Sequence, residues 1–306
     1  MKTTLPERSL VIQERLDNIV QEILATSKEK IAMIILFGSY ARGDWVIDKY
    51  LRGHITYTYN SDLDLMVVLR NWRNNGYESI PLKHKIQKRL EDKSLTSSGL
   101  AGSTDPSVTL VLEPIAHFNS QLEKGRYFFT DIKKEGVLLY DNGEFTLAEA
   151  RELPWKERIE IAEKDYRKWF KRGMGFLWAC EHQLEIGCHE LAAFQLHQAT
   201  ESFYNTILLV FSGYKPKLHD ILELGKRARI YSQKLFGVFP YETPEQRKCF
   251  ELLMRAYIDA RYEDDYQITE EQLLYLIERV EELANITEKI CFEWLVRHHA
   301  QAGREG

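Results

Sequence analysis

The sequence is poor in features that would place it in several common classes. Its four cysteines, Cys180, Cys188, Cys249 and Cys291, show no C-x-x-C spacing. They are expected to be small buried residues rather than a zinc or disulfide framework. No stretch approaches the roughly 20 consecutive apolar residues of a membrane span, and Met1 to Lys28 lacks the cationic start and apolar run of a leader. A cytoplasmic protein without membrane contact is expected. Positive charge is not in excess: the formal net charge is −5, which argues against coating nucleic acid by bulk electrostatics. A local basic groove is compatible with that total, because net charge carries no information on distribution. Internal repeats and low-complexity tracts are absent as well.

What is present suits a chain of 306 residues with 44% hydrophobic and 28% charged residues, enough for two domains with separate cores. Apolar residues at helical spacing (Leu10, Leu16, Ile19, Val20, Ile23) predict a helix over 9–26. Ile31 to Phe37 is a short, wholly apolar run ended by Gly38, the signature of a buried strand. Leu63 to Leu69 and Val108 to Ile115 predict two more strands, with a helix basic on one side over 80–93. After Asp141 long amphipathic segments take over, at about 155–185, 189–212, 217–236, 244–261 and 269–298, parted by Gly187, Ser212-Gly213, Pro216, Pro240 and Pro244. The expected architecture is an α+β domain over 1–145, a mixed twisted sheet with helices, followed by an all-α bundle over 155–298.

Two short segments of the first domain carry chemistry. In Gly38-Ser39-Tyr40-Ala41-Arg42-Gly43, glycine allows a sharp turn with close approach to a phosphate, and Ser39 offers a hydroxyl and an N–H. In Ser61-Asp62-Leu63-Asp64-Leu65, the strand period of two puts both carboxylates on one face. Two like charges beside a core repel, and a divalent cation resolves the conflict. Oxygen donors of this kind suit Mg²⁺, which takes one or two carboxylates plus phosphates.

Together these segments resemble the polymerase-β-like nucleotidyltransferase signature, in its minimal branch, over about residues 30–140. The resemblance implies a twisted sheet with helices on one side. It also implies two Mg²⁺ ions bridging Asp62 and Asp64 to a nucleoside triphosphate, with ATP and AMP transfer favoured. Gly38 and Ser39 would hold the phosphates, Arg42 would assist, and an acceptor hydroxyl would attack in line with loss of pyrophosphate. The acceptor, whether protein, small molecule or RNA end, is left open. Two departures stand out. The stretch from Asp44 to Asn60 is longer than the usual gap, and the alternation in His54-Ile55-Thr56-Tyr57-Thr58-Tyr59 predicts an inserted hairpin strand. The family's third carboxylate has no unmistakable match; Glu113, at the end of the third strand, is the candidate ligand or base.

In the second half, Leu196-His197-Gln198-Ala199-Thr200-Glu201-Ser202-Phe203-Tyr204 and Lys215-Pro216-Lys217-Leu218-His219-Asp220 resemble the HEPN family over about 155–298. HEPN ribonucleases place a histidine four to six residues after an arginine. Ala260-Arg261-Tyr262-Glu263-Asp264-Asp265-Tyr266-Gln267 has Arg261 but no such histidine, so no evident acid or base serves RNA cleavage. His197, His219, Arg261 and Tyr266 remain as a candidate nucleotide or phosphate pocket. The resemblance also implies a homodimer through the helical domain. The readings left open are a Mg²⁺-dependent nucleotidyltransferase, a nucleotide-binding toxin–antitoxin-like module with little catalysis, and an HEPN ribonuclease.

Overall fold

A computed structural model describes residues 1–52, 55–70, 79–96, 106–216, 218–263 and 265–305; His54, Lys217 and Asp264 of the segments above lie outside them. The chain divides into two compact units, Met1–Glu152 and Leu153–Gly306.

The first unit is built on a four-stranded sheet in the order β5-β4-β1-β6, formed by β1 (Ile31–Phe37), β4 (Leu63–Leu69), β5 (Val108–Pro114) and β6 (Val137–Asp141). The β4 and β5 strands are parallel, and β1 is antiparallel to both β4 and β6. Pairing Leu36 with Leu65 and Ile34 with Val67 puts these side chains on one face. That face packs with Leu16, Ile19, Val20 and Ile23 of α1 (Gln13–Ser27) and with Leu82, Ile86 and Leu90 of α3 (Ser79–Asp92). The opposite face is apolar too. Met33, Ile35, Met66 and Val68 are buried there, and α4 (Ile115–Glu123) and α5 (Tyr127–Glu135) lie on β4, β5 and β1. Helices therefore cover both faces, which corrects the one-sided arrangement implied by the family resemblance. A strand buried on both sides reads as an unbroken apolar run, as β1 does.

The stretch between the two motifs forms β2 (Ile47–Arg52) and β3 (Ile55–Asn60), an antiparallel hairpin separate from the main sheet. Its base is clamped by Ser61 N–H donating to the Val46 carbonyl and Val46 N–H donating to Ser61 Oγ, both at 3.0 Å.

The second unit is helical. Its long helices are α6 (Trp155–Glu185), α7 (His189–Ser212) and α11 (Glu270–Glu305), and all three pack on one another. From Leu196 to Val210 only Gln198 on α7 is not buried, so α7 is the spine of this core. Gly173 on α6 permits the close approach: a Cβ there would sit 2.6 Å from the Phe203 ring. The expected helix over 217–236 starts later, as α8 (Ile221–Arg229), because Asp220 caps it by accepting from the Leu222 and Glu223 N–H groups. The segment expected at 244–261 breaks into α9 (Pro244–Arg255), opened by a Thr243–Gln246 capping box, and the single turn α10 (Asp259–Tyr262). Among the described residues no helix is long and apolar enough to cross a membrane.

Candidate functional site

The turn after β1 is where the first unit concentrates its chemistry. Gly38 has φ +75° and ψ −156°, a conformation open almost only to glycine. The next residues form the short α2 (Ser39–Arg42), closed by Gly43 in the left-handed region. Phe37, just before Gly38, pairs with Asp64 across the β1–β4 ladder. The Asp64 carboxylate lies against Gly38 itself: a Cβ on Gly38 would sit 2.5 Å from Asp64 Oδ2. The glycine thus serves two purposes at once, the turn and the room for the carboxylate.

Asp62 precedes β4 and accepts a hydrogen bond from Ser107 Oγ, the residue just before β5. Its charge also reaches Tyr40. Burial is the main cause that raises the Tyr40 phenol above its ordinary range; Arg15 opposes this, and Asp62 adds to it. Asp64 at Gly38 and Asp62 within electrostatic range of Tyr40 therefore place both carboxylates beside the 38–40 turn. Both side chains are partly exposed. The Asp64 carboxylate against Gly38, with Asp62 two residues earlier on the same strand face, makes an oxygen-rich pair, a donor set that fits a Mg²⁺–phosphate ligand.

The two other site residues expected in this unit are placed differently. Arg42 bonds to Asp44 (3.0 Å) and lies 3.8 Å from Glu135, so its guanidinium is already engaged by two carboxylates. Glu113 is not at the aspartate pair. In the parallel β4–β5 ladder Asp64 stands opposite Thr109, whereas Glu113 stands opposite Val68, four positions on. At about 3.3 Å per residue that is about 13 Å along the strand. Glu113 is 1% exposed, and its Oε2 lies 2.8 Å from Nδ1 of His117 on α4, a close polar contact without hydrogen-bond geometry. The structure thus does not bring Glu113 to Asp62 and Asp64, and the β5 positions nearest them on that face, Thr109 and Val111, carry no carboxylate.

Other neighbours of the turn had no local sequence signal. Ser107 lies 45 residues from Asp62. Arg15 donates to the carbonyls of Leu95 (2.9 Å) and Pro106 (3.0 Å) from the first turn of α1. Tyr40 stacks on Trp45 with centroids 5.1 Å apart, and Arg8 lies 4.6 Å over that indole. Apart from Tyr40 and Trp45, five residues apart, each contact joins segments distant in the chain.

In the helical unit the structure gathers His197, His219 and Arg261 around Tyr257. His219 stacks on Tyr257 at 4.4 Å, the His197 ring lies 5.3 Å from it, and Arg261 is 4.9 Å over it. His197 is fully committed, with Nδ1 2.9 Å from the Leu253 carbonyl and Nε2 3.1 Å from that of His219. Burial lowers its pKa, against partial opposition from the Leu253 carbonyl and Glu201. His219 is exposed and held at Nδ1 by Glu201 Oε2, 2.9 Å away. Tyr266 is buried, and its hydroxyl donates to the Leu252 carbonyl (3.0 Å), a structural bond rather than a ligand contact.

Comparison with known proteins supports the second half of this description. The HEPN domain family matches residues 166–290. Residues 166–290 are a HEPN domain. It follows an α+β unit, the order expected from the motifs. A nucleotidyltransferase-like protein from Exiguobacterium sibiricum 255-15, known from a crystal structure at 1.90 Å resolution, is 12% identical to this chain. The alignment covers 92% of this chain and 78% of that one, with a TM-score of 0.28, so the site must be read from this chain's own residues. No curated protein matches.

Proposed function

We propose that the first unit binds a magnesium–nucleoside triphosphate at Gly38, Ser39, Asp62 and Asp64 and transfers a nucleoside monophosphate, AMP from ATP, to an acceptor hydroxyl. The observation that carries this reading is the packing of the Asp64 carboxylate against the Cβ-free face of Gly38. It puts a carboxylate directly against a glycine turn, the kind of backbone that can approach a phosphate closely. Asp62 and Asp64 would hold Mg²⁺, two ions in the full family scheme, and the metal would supply charge neutralisation at the phosphates. Ser39, partly exposed at the head of α2, would donate its hydroxyl to the terminal phosphates. Arg42 contributes only by leaving Asp44 and Glu135.

The register of Glu113 favours a second reading, a nucleotide-binding module with little turnover. Without a third carboxylate at the pair, no group of β5 is placed to take the proton of an attacking hydroxyl. One experiment separates both readings from failure. Mg·ATP affinity is measured calorimetrically for the wild type and for Asp62→Asn/Asp64→Asn, and pyrophosphate release is followed in parallel. Binding lost in the double variant, with release in the wild type, supports transfer; binding without release supports the module; equal affinity in both proteins refutes the site.

A homodimer through the HEPN domain belongs to the same proposal. Trp178 (61% exposed) on α6 and Phe292 (63%) and Val296 on α11 are large apolar side chains that a second copy would cover. Light scattering across micromolar concentrations tests it, and a monomer throughout refutes it.

A further inference from the structure

Three cations of the HEPN domain converge on one indole. Lys168 Nζ lies 5.6 Å, the Arg172 guanidinium 5.2 Å and Lys215 Nζ 5.1 Å from the centre of the Trp169 ring. On α6 Arg172 follows Lys168 by four residues and Trp169 by three, so it neighbours both along the helix. Lys215 comes from the turn after α7, so the cluster is a product of tertiary structure.

No carboxylate of the described residues forms an ion pair with it, although the charge of Glu201 reaches Lys215. Among the described residues none of the three stands at ion-pair distance from a carboxylate. Glu163, on the preceding turns of α6, is taken by Arg167 and His299. Glu201, whose charge is felt at Lys215, is bonded to His219. An aromatic ring has two faces and favours cations there by about 0.5–2 kcal/mol each, so a third positive charge at the same ring meets repulsion from the others. Burial is the main cause that lowers the Lys215 ammonium below the usual lysine range; Glu201 opposes this, and Arg172 and Lys168 add to it.

The α7 helix next to the cluster also carries polar side chains without partners. Asn205 lies one turn beyond Glu201 on the same face of α7, is fully buried, and has neither amide oxygen nor amide nitrogen bonded. Gln198 Nε2, three residues before Glu201, is likewise unbonded. The face of α7 that carries Glu201 thus holds polar groups without a protein partner.

We propose that Lys168, Arg172 and Lys215 form, around Trp169, a site for an oligophosphate anion, of which pyrophosphate is the smallest. A guanidinium offers a planar fork for two phosphate oxygens, and each ammonium adds a point charge. The site is compact, and a nucleic-acid backbone running along α6 would meet Glu163 and Glu160 one and two turns earlier. A short anion held at one ring avoids them.

The test uses the full chain carrying Asp62→Asn and Asp64→Asn, without magnesium, so that the nucleotide site contributes nothing and the two proposals fail separately. Sodium pyrophosphate is titrated calorimetrically at low salt. Saturable binding is expected, weakened about tenfold or more by Arg172→Gln and by Lys215→Gln, the scale of one charge-assisted contact. Lys156→Gln, near the start of α6, serves as the charge-matched control and should leave affinity unchanged. Arg172 is exposed, so its replacement spares the fold even if Lys215→Gln does not. The proposal is overturned by absence of saturable binding, by equal affinity in Arg172→Gln, or by tighter binding of a short single-stranded RNA through the same residues.

Discussion

Gly38→Ala probes the turn and the carboxylate together. Alanine at φ +75° and ψ −156° is strained by about 1–3 kcal/mol. Its Cβ also falls 2.5 Å from Asp64 Oδ2 and 3.3 Å from Asp64 Cγ, so the carboxylate must turn away or the Phe37–Asp64 pairing must open. With two units in the chain, the N-terminal transition has to be followed on its own. For a unit of this size each kcal/mol shifts Tm by about 2–4 °C, so backbone strain alone predicts a fall of about 2–12 °C. Displacing one charge-assisted contact predicts a loss of Mg·ATP affinity of about tenfold or more. A double-mutant cycle separates the two causes. In Asp64→Ala the nearest atom is the Asp64 Cβ position, 3.5 Å away and an ordinary contact, so the added methyl there costs backbone strain only. The coupling between the substitutions should then be about 0.5–3 kcal/mol, in the sense that Asp64→Ala relieves Gly38→Ala. Additive effects, or an unchanged Tm and affinity in Gly38→Ala, would refute the packing argument and with it the oxygen-rich pair.

Glu113→Gln should lower the Tm of the first unit by an amount worth about 1–3 kcal/mol, because it disturbs a buried contact with His117. It should leave Mg·ATP affinity unchanged by calorimetry; a large loss of affinity or of pyrophosphate release at an unchanged Tm would return Glu113 to the site. His197 predicts a pH dependence for the HEPN domain. Its folded pKa lies below the ordinary 6.5, so the unfolded chain takes up the proton first as the solution is acidified. The stability it contributes is full above pH 6.5 and is lost as pH falls through the lowered folded value. His197→Gln should reduce Tm at neutral pH, where one buried and one partly buried carbonyl contact are disturbed, yet flatten the fall of Tm below pH 6.5. Parallel wild-type and variant curves would rule that assignment out.

The sequence by itself determined the elements whose signals are local. An apolar run ending in glycine marked β1 to the residue, and the Asp-x-Asp at the head of an apolar strand marked β4, since both depend on neighbours within a few positions. The alternation after His54 marked the inserted hairpin, and helical spacing marked α6 and α7. The short helix α4 and the five-residue β6 escaped, because so few residues offer too few periods to stand out. What only the tertiary structure decided was pairing. Glu113 sits at a strand end in the sequence, just as a third carboxylate would, yet the parallel register of β4 and β5 carries it about four positions past Asp64. Arg42 was visible, but its engagement by Asp44 and Glu135 was not. Ser107 meets Asp62, and Lys215 meets Trp169, across intervals with no periodic relation. The physical reason is common to all of these: helix and strand patterns report which face of an element is buried, while register and the approach of separate elements are set by packing between distant segments.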